Sequence, residues 1–225
     1  MKLPSVLRHS VFVILPLAAF AETGEERAER LLNAMGGREA WAKVQFVHVE
    51  AVHDSLNLAE PYTNRIWNDL CSRRVRFEAK NAQLDSRAGL AGDAGWRWRD
   101  GSPVEMTPER LADEQRWWEA NIYKTIHRIA LGNTGLSFTA VGEHRLEVFR
   151  RDGVRLNWFL LHPGGAPMLF GTWDSEAATV FGPLASNGTV NYPKWGGRPD
   201  GSWRYEIVRF VTSGSVPSGI DFTAP

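Results

Sequence analysis

From Val44 onward, apolar residues recur at every second position in one short run after another. That alternation constrains the fold more than any other feature of the chain. Residues 46–52 form the first such run, and 62–70 and 73–80 follow it. In the third, Arg74, Arg76 and Glu78 share one face while Val75, Phe77 and Ala79 share the other. A strand of this kind has one wet face and one buried face. Residues 83–88 and 95–100 continue the pattern, with Trp96 and Trp98 on a common face. Further strands are predicted over 136–141, 145–150, 155–162, 167–173, 177–181 and 203–212, with a short last one near Ile220. Asp100-Gly101 and Asp152-Gly153 are hairpin dipeptides. Tight turns between consecutive strands mean antiparallel pairing.

Two helical segments interrupt the strands. Ala28, Leu31, Leu32 and Met35 fall on one stripe at helical spacing, and Gly36-Gly37 provides the left-handed stop. One more turn over 38–43 brings Trp41 inward. The second segment opens at Thr107-Pro108-Glu109, with a capping hydroxyl, a proline in the first turn and an acid near the positive end. Its stripe of Leu111, Trp118, Ile122, Ile126 and Ile129 predicts one helix of about 20 residues, stopped by Gly132. The expected class is α+β: a large curved antiparallel sheet wrapping an N-terminal and a mid-chain helix.

Residues 1–21 read as a secretory leader. Lys2 and Arg8 are its basic start, residues 11–17 its apolar stretch, and Ala19 and Ala21 the small residues that place cleavage before Glu22. The apolar stretch is too short to span a bilayer, which takes about 20 residues. The mature chain then has 204 residues (225 less 21), read as a single exported domain over 22–225. Removing Lys2 and Arg8 leaves 24 basic against 26 acidic residues, and this balance argues against a nucleic-acid partner. Cys71 is the only cysteine, so no internal disulfide forms. A small buried side chain is the more common role for such a residue, and no catalytic one is assigned to it. A monomer is expected.

No chemistry announces itself. The histidines at 48, 53, 127, 144 and 162 lack metal-ligand spacing, and His48 and His53 point to opposite faces of a regular strand. There is no nucleophile elbow, phosphate loop or dinucleotide fingerprint. No catalytic residue, metal or cofactor is therefore assigned. Asp174 and Glu176 stand two apart at a strand end, suited to acid–base work with His162, although such carboxylates more often cap turns. Asn187-Gly188-Thr189 matches a glycosylation pattern that chance also produces. The loop that begins at Gly182 and ends at Trp195 mixes Gly and Pro with large side chains; it closes a cavity or serves as an ordered connection.

Ten tryptophans are spread along the chain. Most belong to sheet packing, and some are candidates to line a pocket. Residues 28–44, AERLLNAMGGREAWAKV, run straight into a strand. This opening, with the mid-chain helix set between two β-rich halves, resembles exported bacterial proteins of the lipoprotein-carrier (LolA/LolB-like) superfamily. The resemblance implies an unclosed barrel in the periplasm, with helices plugging its concave face and an apolar cavity that takes acyl chains or another hydrophobic ligand. It transfers no functional residue, and function carried by fold alone is analogy. The expected ligand-binding residues are Trp96, Trp98, Trp118, Ile122, Ile126, Trp158 and Phe170, and the expected ligand is a lipid or lipoprotein acyl group. The alternatives are an exported hydrolase using Asp174, Glu176 or His162, and an envelope protein that binds a protein partner without a small ligand.

Overall fold

The computed structural model describes residues 22–132, 135–173 and 178–225. The expected leader, Asp174 and Glu176 lie outside them. The first helix, α1 (Gly24–Ala34), begins with a reciprocal capping box: the Thr23 hydroxyl accepts from the Glu26 N–H, and the Glu26 carboxylate accepts from the Thr23 N–H. It ends at Gly36 and Gly37, with φ of 116° and 88°, and the Gly37 N–H closes on the Leu32 carbonyl. Only glycine takes two such backbone conformations in succession without strain. The turn carries the chain into α2 (Arg38–Ala42), where Trp41 is fully buried and its Nε1 donates to the Met35 carbonyl at 2.7 Å.

Fifteen strands are described. The first half holds β1 (Phe46–Ser55), β2 (Tyr62–Asp69), β3 (Arg74–Lys80), β4 (Asp85–Ala91), β5 (Ala94–Arg99) and β6 (Ser102–Val104). The second half holds β7 (Leu136–Val141), β8 (Arg145–Arg150), β9 (Arg155–Leu161), β10 (Pro167–Thr172), β11 (Ala178–Phe181), β12 (Leu184–Ser186), β13 (Asn191–Pro193), β14 (Trp195–Gly197) and β15 (Trp203–Ser213). Thirteen of them make one antiparallel sheet in the order β6-β5-β4-β3-β2-β1-β15-β14-β11-β10-β9-β8-β7. The last long strand, β15, pairs with the first and joins the two halves. β6 and β7 remain as edges, so the barrel is unclosed. At Asp100-Gly101 both residues have positive φ, 50° and 82°, giving the two-residue hairpin between β5 and β6.

The loop from Gly182 to Trp195 is ordered. β12 and β13 pair as a hairpin, Val190 enters the main core, and the Asn191 side chain donates to the Ala34 carbonyl at the end of α1. The Asn187 side-chain oxygen Oδ1 accepts from the Thr189 and Val190 N–H groups, so this residue builds the hairpin turn.

The mid-chain segment departs from expectation. It is two helices, α3 (Pro108–Glu119) and α4 (Ile122–Ala130), rather than one. Asn121 is the cause: its side-chain oxygen accepts from the Tyr123 and Lys124 N–H groups and starts a new helix. The buried Asn157 on β9 pins the joint, donating to the Ala120 carbonyl and the Thr125 hydroxyl. Nearly all of α4 is buried, because it fills the space the sheet encloses together with α1 and α2. α3 is different: Trp118 is its one buried residue, and it lies as a roof over β2 to β5.

Candidate functional site

Residues two apart on a strand share a face, and the register extends that rule across the sheet. Val49, Ile66, Phe77, Ala88 and Arg97 stand in one row from β1 to β5, and Val47, Asn68, Val75 and Leu90 in the next. Val47 and Val49 belong to the main core, so these rows face the helices.

Between this face and α3 lies a cavity of about 540 Å³, within the usual range for small-ligand sites, about 300–1,000 Å³. Ile66, Val75, Phe77 and Ala88 form its floor, Trp118 and Ile122 its roof, and Phe170 one end. Arg97, Arg110 and Glu114 bring charge to the same cavity. Val75 and Trp118 also join Leu90 in a small buried cluster, against which Leu111 of α3 packs. A side chain at Gly95 would bring its Cβ within 2.7 Å of Leu111, so glycine lets α3 approach β5.

Trp118 fixes the roof. Its Nε1 donates to the Asp69 carbonyl at 3.3 Å, and the Lys124 ammonium sits 3.3 Å from its ring centre. Lys124 is 7 % exposed and donates to the Leu70 carbonyl. Burial lowers its pKa to about 8. The Asp69 carboxylate, also buried, accepts from the Cys71 and Ser72 N–H groups and from Arg74.

A second, wider cleft of about 750 Å³ opens where β1, β10 and β15 reach the same end of the sheet. Trp117, Trp173 and Trp203 line it with Thr172, Thr179 and Arg198. Trp117 borders both spaces. Phe170 in the first and Thr172 in the second are two apart on β10, about 7 Å along a strand. Below the cleft His53 is 6 % exposed and stacked between Tyr62 and Tyr205. Its Nδ1 lies 3.1 Å from Nε1 of Trp203, and burial lowers its pKa to about 4.

The seven expected ligand residues separate. Trp118, Ile122 and Phe170 meet in the first cavity. Ile126 is 0 % exposed and enclosed in the main core, one turn beyond Ile122. Trp96 and Trp98 flank Arg97 and therefore point to the outer face. There Trp96 covers Gly89, meets the Arg76 guanidinium at 5.7 Å and donates to the Phe222 carbonyl at 2.7 Å. Trp158 also takes the outer face, because its neighbours Asn157 and Phe159 contact α4 and the core. It lies over Gly171, with the Arg145 guanidinium 4.4 Å from its ring.

Cys71, expected to be buried, is exposed in the turn between β2 and β3. Its sulfur is 3.8 Å from Nε2 of His127, whose Nδ1 is held by the Trp41 carbonyl at 2.9 Å. Partial burial and the Asp69 carboxylate raise the thiol pKa, which keeps it protonated. His162 is exposed, and its Nδ1 accepts from the Gly164 N–H in a turn. Glu22, the residue after the expected cleavage point, forms ion pairs with Arg27 and Arg30. Among the described residues no group of three or more His, Cys, Asp or Glu is placed to hold a metal, and no helix is long and apolar enough to cross a membrane.

Sequence reasoning missed Ile66, Phe77, Ala88 and Arg97. The signal was there: the apolar parity of Val75 and Phe77, carried through the hairpin register, selects Ala88 and then Arg97 rather than the two tryptophans beside it.

No family model matches this chain, and no curated protein matches it. Solved structures do. A DUF1329 family protein from Desulfovibrio piger superposes with a TM-score of 0.50 at 8 % identity, over 89 % of this chain and 96 % of that one. The MucA/MucB complex of Pseudomonas aeruginosa gives 0.35 at 16 % identity, over 88 % of this chain and 61 % of that chain. LprF from Mycobacterium bovis gives 0.32 at 11 % identity, over 91 % and 99 %. The likeness to the Desulfovibrio piger protein is one of fold, without likeness of sequence. The unclosed sheet around helices is the architecture that the lipoprotein-carrier resemblance implies.

Proposed function

We propose that this chain is an exported binding or carrier module for a hydrophobic ligand, the acyl chain of a lipid or lipoprotein, held beneath α3. The observation that carries this reading is the cavity of about 540 Å³ with an apolar floor of Ile66, Val75, Phe77 and Ala88 and an apolar roof of Trp118 and Ile122. An acyl chain there exchanges water for apolar walls on both sides, worth about 0.8 kcal/mol per buried methylene. A carboxylate or phosphate at its head would meet Arg97, since Arg110 is paired with Glu114 at 2.8 Å. On this reading residues 1–21 are removed on export, and residues 22–225 act in the periplasm as a single monomeric domain without a cofactor.

The test is displacement of a fluorescent fatty acid from the purified protein. Ala88→Phe fills the floor of the cavity and leaves the anchors of Trp118 untouched. The wild-type chain binds the probe and releases it to unlabelled fatty acid, whereas Ala88→Phe loses at least tenfold in affinity, about 1.4 kcal/mol. Equal binding by both proteins would contradict the reading.

A further inference from the structure

We infer that the wider cleft at the end of the sheet is a saccharide site, separate from the acyl cavity. Three indoles line it, and each is already held in place. Trp117 and Trp173 meet edge to face at 77°, with ring centres 5.0 Å apart. The Arg116 guanidinium lies 5.7 Å from the Trp173 ring, and Trp203 is tied through Nε1 to the buried His53. Trp117 is 50 % exposed, a large apolar surface left facing solvent at the mouth. Trp173 has a φ of 28°, a backbone conformation that bulky residues rarely adopt and that clusters at ligand sites.

The chemistry between the rings is polar. Thr172 and Thr179 bring hydroxyls, and the exposed Arg198 brings a guanidinium whose charge also acts on Asp200. An acyl chain in this cleft would offer these groups no hydrogen bond in exchange for the water it displaces. A pyranose ring suits both features. Its C–H face meets the negative face of an indole, and its hydroxyls pair with threonine and guanidinium. The cavity beneath α3 has a larger apolar share, with Ile66, Val75, Phe77 and Ala88 facing Trp118 and Ile122 and its charge confined to Arg97, Arg110 and Glu114. The two spaces therefore call for different ligands, and Trp117 stands between them.

The experiment is calorimetric titration of the purified protein with three soluble trisaccharides: maltotriose, chitotriose and trigalacturonate. At least one binds saturably at one site per chain. Trp173→Ala weakens that binding at least tenfold, and the exposed Arg198→Gln weakens it with no loss of fold by circular dichroism. Trp96→Phe, on the outer face, leaves it unchanged. No saturable binding of any of the three overturns the inference, as does binding that survives both cleft variants. Fatty-acid displacement run on the same proteins separates the two sites. Saccharide binding without fatty-acid binding supports the cleft and contradicts the acyl reading, and fatty-acid binding alone overturns the cleft.

Discussion

The Lys124 ammonium stands 3.3 Å from the centre of the Trp118 indole, joining α4 to α3 across the break at Asn121. The contact positions the roof of the cavity from below, while the Asp69 carbonyl holds the same indole at its edge. A buried cation stays charged here because the indole face and the Leu70 carbonyl replace part of its water.

Lys124→Met keeps the stem and removes the charge. At pH 7 its stability stays within about 1 kcal/mol of wild type, because removing a buried charge offsets the lost contacts. Lys124→Ala loses the stem as well and costs about 2–3 kcal/mol. The pH dependence gives a sharper reading. The folded pKa of about 8 lies below the unfolded 10.5, so the unfolded chain binds more protons between these values. Wild-type stability therefore gains a contribution as pH rises from about 8 to 10.5, and Lys124→Met lacks it. Urea unfolding across that window checks both statements.

His53 gives the acid counterpart. Its folded pKa of about 4 lies below the unfolded 6.5, so protonation favours the unfolded chain in that window. Stability is complete above pH 6.5 and falls as pH drops toward 4, by about 3 kcal/mol for this one group. Burial lowers His48 and His127 as well, and both act in the same direction. His53→Phe flattens the acid limb of a urea-midpoint curve by the His53 share alone.

Ile122 and Ile126 are one helical turn apart and have different roles. Ile122 borders the cavity, whereas Ile126 is wholly enclosed. Ile126→Val costs about 1 kcal/mol of stability and leaves fatty-acid affinity within twofold. Ile122→Ala weakens fatty-acid binding at least fivefold. Thermal melts and probe titrations on the same preparations separate the two effects.

The joint at Ala120 depends on one side chain. Asn157→Leu leaves the Ala120 carbonyl and the Thr125 hydroxyl without this donor in a buried setting, at a cost of about 2–4 kcal/mol. Hydrogen exchange then rises first over residues 118–126, where α3 meets α4.

The sheet was legible because alternation and turn dipeptides are local signals: Val75, Phe77 and Asp100-Gly101 needed no distant partner. The opening helix was legible for the same reason, from its stripe to Gly36-Gly37. The break at Asn121 was hidden because the apolar stripe from Trp118 to Ile122 and Ile126 runs through it without Gly or Pro. Trp96 and Trp98 were placed on the wrong face because large aromatics favour the inside. The outer cover of Trp96 comes from Arg76 and from Phe222, the latter more than a hundred residues away and itself 4 % exposed. Trp158 lies in RLNWFLL, which is apolar on both faces, so parity alone could not choose its side.

The claim that an acyl chain lies beneath α3 is tested most directly by photolabelling with a diazirine-bearing fatty acid and mapping the modified peptides by mass spectrometry. The account predicts labelling of peptides that contain Phe77, Ala88 or Ile122, competed away by unlabelled fatty acid and suppressed by Ala88→Phe. Labelling confined to the outer face around Trp96 and Trp158, or labelling that unlabelled fatty acid does not reduce, would contradict it.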